Sequence, residues 1–184
     1  MNNDKHLKSE TPILGTDHTI LDFWKWGFSN ILTNNLRGIF AEFLIGTALG
    51  CLNQLRVEWD SYDLVYKGMK IEVKSSAYIQ AWHKEKYSNI SFSIGAKKEY
   101  DYTTNKYNPT VKRNADIYVF CLLKEKNHEI IEPLNMKQWD FYVALTKDLD
   151  IYFPNQKTIS LNSLKKIAHP STYEELKQII DGLL

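Results

Sequence analysis

The 184-residue sequence predicts a mixed α/β (α+β) fold in which helices at both ends of the chain flank a central mixed β-sheet. Apolar residues recur at intervals of three and four between positions 16 and 52. After Arg56 the period drops to two. The runs DIYVFCLL (116–123) and WDFYVAL (139–145) then precede a return to helical spacing. The length suits one domain, because domains cluster near ~100–150 residues. The expected division is a loose leader over residues 1–15 and a single domain over 16–184.

Asp17 or Thr16 can cap a first helix, whose apolar positions Leu21, Trp24, Phe28, Ile31 and Leu32 end near Asn34 and Asn35. Leu36 to Leu52 forms a second helix with Ile39, Phe40, Phe43, Leu44, Thr47 and Ala48 on a broad apolar face, and Gly50 stops it. Glu42 lies within it. Val57–Trp59, Tyr62–Tyr66 and Met69–Ser75 read as short strands, and Ile90–Ile94 as a further one. Gly95 to Lys112, polar and Tyr-rich with Asn108-Pro109, reads as a long loop. Asp116–Leu123 is apolar without alternation, as a strand covered on both faces should be. Trp139–Leu145 is another strand. Ser160–Ile167 is a short helix, and Ser171 with Glu174 forms a capping box ahead of Tyr173, Leu176, Ile180 and Leu183.

Composition excludes several classes. Hydrophobic residues make up 43% and aromatics 13%, with only 8 Gly and 5 Pro, which argues against disorder and low complexity. No apolar stretch approaches the ~20 residues that span a bilayer, and Met1–Glu10 lacks the apolar centre of a secretory signal, so a soluble cytoplasmic protein is expected. Cys51 and Cys121 have no CxxC partner, which leaves no disulfide framework or four-ligand zinc site and points to reduced core thiols. Trp24 and Trp26 read as core and boundary residues, and His83 as a surface or loop residue. Phosphate-loop, dinucleotide, zinc-protease and serine-hydrolase signatures are all missing from the sequence. The net charge is +1, yet residues 67–126 hold 12 basic against 6 acidic side chains, so one segment is polarised toward anions.

The stretch DLVYKGMKIEVKSS (63–76) carries the chemistry. With Lys67-Gly68 as a two-residue hairpin loop, Tyr66 pairs with Met69, Val65 with Lys70 and Leu64 with Ile71, and Asp63 lands opposite Glu72. A four-residue loop keeps this register, whereas a three-residue loop shifts it. Alternation puts Glu72 and Lys74 on one face with Asp63, while Leu64, Ile71 and Val73 face the core. Opposed carboxylates repel, so the pair needs a compensating charge. Lys74 supplies one, and a divalent cation such as Mg²⁺, which takes one or two carboxylates together with water and phosphate oxygens, would supply more. A salt-bridged exposed hairpin is the bland alternative.

Asp63, Glu72-x-Lys74 and the helical Glu42 of RGIFAEFLIG match, in order and element type, the PD-(D/E)XK nuclease superfamily, which the sequence resembles over about residues 36–123. The resemblance implies a restriction-endonuclease-like fold and a metal-dependent nuclease hydrolysing phosphodiester bonds of nucleic acid, with DNA the expected substrate. It implies Mg²⁺, or Mn²⁺ as a substitute, held by Asp63, Glu72 and Glu42, with the Ile71 or Val73 carbonyl contributing. Lys74 would orient or help deprotonate the attacking water. Tyr62 stands where the family carries a nominal Pro. Gln80 resembles a polar residue that some members place on the next helix, but no Tyr follows four positions later, and no subfamily is assigned. Ser75 and Ser76 either bond a phosphate oxygen or simply end the strand. Lys97, Lys98, Lys112 and Arg113, interleaved with Tyr100, Tyr102 and Tyr107, suit a nucleic-acid face. The alternative is a catalytically inactive nucleic-acid-binding or complex-forming module on the same fold. A homodimer is compatible with either reading.

Overall fold

The computed structural model describes residues 6–53, 55–57, 61–82, 86–101 and 103–184. Helices α1 (Ile20–Phe28) and α2 (Asn34–Leu49) open the chain, followed by the hairpin of β1 (Leu64–Tyr66) and β2 (Met69–Ala77). Next come β3 (Ser91–Ser93), β4 (Lys97–Asp101), β5 (Lys106–Lys112), β6 (Ile117–Leu123) and β7 (Trp139–Leu145). The chain closes with α3 (Thr146–Tyr152), β8 (Thr158–Ser160), α4 (Leu161–Leu164), β9 (Pro170–Ser171) and α5 (Leu176–Asp181). The main sheet has the order β1-β2-β6-β7-β9, with β2 and β6 parallel and the other neighbours antiparallel. This is the mixed, helix-flanked sheet that the sequence predicts.

All seven residues of β6 are buried, because both faces of the strand are covered. Ile117, Val119, Cys121 and Leu123 join Ile71 and Val73 in a core beneath α2 and α5. Tyr118, Phe120 and Leu122 point the other way, into a second core with Phe92, Ile94, Ile159 and Leu164. A continuous apolar run is what such double burial requires.

The first helix ends at Phe28, six residues earlier than the sequence reading has it. Its start is set by Asp22, whose carboxylate accepts from the Thr19 N–H at 2.7 Å and the Thr19 hydroxyl at 2.8 Å. Ser29 and Asn30 break the spacing, so Ile31 and Leu32 lie in the link to α2. Trp26 is 85% exposed rather than a boundary residue. The leader is tied to α1, since Pro12 bridges Thr19 and the Ile20 N–H donates to Thr11 O. Gly50 ends α2 in the left-handed conformation, as expected. Val57 is not in a strand, and Glu58 and Trp59 fall outside the described residues, as do His83 and Tyr102.

The expected 95–112 loop is instead the β4–β5 hairpin, closed by Asp101, which accepts from the Thr103 N–H and the Thr104 hydroxyl, with Asn105 at φ 53°. The capping box at the C-terminus is displaced too. Ser171 donates its hydroxyl to Phe141 O within β9, and Glu175, not Glu174, accepts from the Thr172 N–H. No described helix is long and apolar enough to cross a membrane.

Candidate active site

The hairpin register is the expected one: Leu64 lies opposite Ile71, Val65 opposite Lys70 and Tyr66 opposite Met69. Lys67 and Gly68 both adopt positive φ, the geometry of a turn whose twist matches its strands. The ladder ends at Asp63. Its side-chain Oδ2 accepts the Val73 N–H at 2.7 Å, replacing a main-chain partner and fixing the carboxylate beside β2.

Glu72 is 3% exposed and points away from the α2 core, toward the face where its parallel neighbour Tyr118 lies. Its Oε1 receives two cations, Lys74 Nζ at 2.6 Å and Lys97 Nζ at 3.0 Å. Burial, reinforced by the Glu72 charge, raises the Asp63 carboxyl to about 6, while Lys74 and the Val73 N–H pull the other way. Burial, with Glu72 adding to it, also holds the Tyr118 hydroxyl well above its ordinary range. Lys74 thus meets Glu72 directly and both charges act on Asp63, while Ile71 and Val73 are core residues.

Glu42 approaches from α2 on the other side of Asp63. The two line a cavity of about 670 Å³ that Glu72 does not reach, and the Glu42 charge acts on Asp63. Both Glu42 oxygens are taken by Arg56, through Nε and, at 2.9 Å, through Nη2. Among the described residues no three carboxylate, imidazole or thiol groups gather closely enough to surround an ion. Of the two acids whose charges act on Asp63, Glu72 acts more strongly than Glu42.

The expected nucleic-acid residues divide. Lys97 sits on Glu72, and Lys112 is its cross-strand partner at the base of the β4–β5 hairpin, where Lys98 is also exposed. Arg113 is not part of that surface. Its guanidinium is buried, donating to Ile94 O and Phe153 O at 2.7 Å each and pairing with Asp150, so it serves the fold. Ser75, Ser76 and Gln80 lie at the far end of β2 around a separate cavity of about 330 Å³. A turn, not a helix, follows β2, and Gln80 is buried there against Arg37. The sequence reading missed Arg56, Lys97 as a partner of Glu72, and Tyr118. Only the register of β6 against β2 brings Tyr118 to the carboxylate.

Among solved structures, the chain is similar to the bacterial homing endonuclease I-Ssp6803I. The two are 24% identical over a match that covers 69% of this chain and 76% of that one, with a TM-score of 0.36. No curated protein matches. Residues 5–163 match the model of the family described as bacteriophage T4 endonuclease IV, a span that takes in α1, α2, the Asp63–Lys74 hairpin and the main sheet as far as β7; the chain belongs to the bacteriophage T4 endonuclease IV family.

Proposed function

We propose that the protein is a metal-dependent endonuclease that hydrolyses phosphodiester bonds of DNA, with Asp63 and Glu72 as its metal-holding carboxylates. The observation that carries this reading is the pairing of a buried Glu72 with an Asp63 whose proton affinity is raised, beside Lys74. The family's endonuclease name supports it. The donor set fits a hard divalent cation. Asp63 Oδ1 and Glu72 Oε2 carry no hydrogen bond from a described residue, and Mg²⁺ needs only one or two carboxylates. When bound, such an ion supplies charge neutralisation at the phosphate and a more acidic water.

The chain's own groups do the rest. Val73 N–H and Lys74 Nζ hold the two carboxylates in fixed orientations, so that little reorganisation accompanies the reaction. Lys74 Nζ, on the Glu72 face, orients the water that adds to phosphorus as the P–O ester bond breaks. Glu42 joins only if Arg56 releases it. Lys97, Lys98 and Lys112 grip flanking phosphates, which makes binding salt-dependent.

A binding module on the same fold is the second reading. It draws on the pairing of Glu42 with Arg56 and of Glu72 with two lysines, which leaves the cluster charge-balanced without an ion. Labelled single-stranded and duplex DNA incubated with the pure protein decides between them. The nuclease reading expects cleavage with Mg²⁺ or Mn²⁺ and none with EDTA. DNA binding that weakens with salt, without cleavage in either metal, would establish the module instead.

A further inference from the structure

We propose that the pocket between the N-terminus of α2 and the end of β2 is a phosphate-binding site built on Arg37, which in the proposed cleavage reaction grips a phosphate other than the one being cut. Only the identity of the phosphate's carrier rests on the nuclease reading; the pocket's preference for an anion does not.

Arg37 is 2% exposed, and its partners are all neutral oxygens. Nη1 donates to Leu32 O and to Gln80 Oε1, each at 3.0 Å, and Nη2 donates to Asn34 Oδ1. Among the described residues no carboxylate pairs with it, and its buried Nε–H finds no acceptor. The other two arginines of the chain are each matched by an acid, Arg56 by Glu42 and Arg113 by Asp150. A buried guanidinium without counter-charge is costly, and the cost is recovered when an anion arrives. Burial lowers its pKa only to about 10, so the group remains charged at neutral pH.

Among the described residues, those that line the pocket add donors and no acid. The 16-residue α2 has no acidic side chain in its first turn, and the Thr33 hydroxyl donates to Asn30 O instead of capping, so the positive end of the helix is uncompensated. Ser75, Ser76, Ser88 and Ser91 complete the wall, and among the described residues none of their hydroxyls is committed to a hydrogen bond. A guanidinium, several hydroxyls and the N-terminal residue of a helix line one pocket, a set of donors that suits an oxyanion. Ser76 follows Glu72 and Lys74 on the same face of β2, about 13 Å along at about 3.3 Å per residue. One nucleic-acid strand covers that distance within a few nucleotides.

The test uses the full chain in EDTA at constant ionic strength, with inorganic phosphate as probe and the Arg Nε–H resonances as readout. Three arginines make assignment straightforward. Saturable movement of Arg37, with Arg56 and Arg113 unmoved, is expected. Ser91→Asp places a carboxylate at the exposed mouth without touching the buried network, and it should weaken phosphate binding about tenfold or more. An unmoved Arg37, or a folded S91D protein that binds phosphate as wild type does, would overturn the site.

Oligonucleotides with and without a terminal phosphate, also in EDTA, distinguish the two sources. A terminal phosphate that adds affinity in wild type but not in S91D identifies a strand end. Weaker binding of both oligonucleotides by S91D to the same degree identifies an internal phosphate. Equal binding by wild type and S91D throughout removes the nucleic-acid role. A protein that moves Arg37 yet cuts nothing keeps this site and loses the nuclease reading, whereas one that cuts while Arg37 stays still does the reverse.

Discussion

Asp63→Asn is expected to abolish cleavage and, in EDTA at neutral pH, to make the protein more stable. The asparagine oxygen still accepts the Val73 N–H, so the end of the hairpin ladder survives. What disappears is a charge that burial and Glu72 both oppose. The folded carboxyl titrates near 6, against an ordinary value of 3.8. Above about pH 6 the folded protein bears the full cost of ionising it. Below 3.8 folded and unfolded chains are both protonated there, and the cost is gone. This group therefore adds stability as pH falls from 7 toward 4. A shift of this size is worth about 1–3 kcal/mol, so urea unfolding should show that advantage for the variant at pH 7.5 and almost none at pH 4. Equal destabilisation at both pH values would mean that Asp63 serves only as a structural cap.

Lys74→Ala and Glu72→Ala should each reduce cleavage by at least about a hundredfold, the scale of losing one preorganised electrostatic group, but for different reasons. Removing Lys74 does not orphan the buried Glu72, because Lys97 Nζ still bonds the same Oε1 at 3.0 Å. Folding and metal affinity should therefore persist while turnover is lost, as expected for a group that acts on the water and the developing charge. Glu72→Ala should lose metal affinity as well, yet bind DNA without metal at least as well as wild type, since it removes a negative charge facing phosphate. Metal titration followed by calorimetry, beside single-turnover cleavage, separates the two. Loss of metal binding in Lys74→Ala would show that the lysine organises the carboxylates and has no role in the chemical step.

Much of this site is legible in the sequence because strand alternation and turn chemistry are local. Lys67-Gly68 sets the hairpin register, the register puts Asp63 against Glu72, and period two carries Lys74 to the same side. The central strands are equally plain, since burial on both faces leaves no room for polar residues between Ile117 and Leu123. The arginines are the opposite case. Arg113 lies in a lysine-rich stretch and looks solvated, but its surroundings are carbonyls of Ile94 and Phe153, set by segments distant in the chain. Arg37 and Arg56 likewise take their meaning from Gln80 and Glu42, far away in sequence. The β4–β5 hairpin escapes notice because every residue of β5 is exposed, so no hydrophobic alternation marks it.

That hairpin also decides how the charge on Glu72 is kept in balance. β4 and β5 pair only with each other among the described strands and contribute little to either core. Such an arm is expected to open at a free energy below that of global unfolding, and the amides of β4 and β5 should exchange with deuterium before those of β2. Lys97, one of the two cations on Glu72, is mounted at its base. Each time the arm opens, Glu72 drops to a single lysine partner, and the site turns more negative for that interval. Its affinity for cations is thus tied to an arm that lies outside the main sheet.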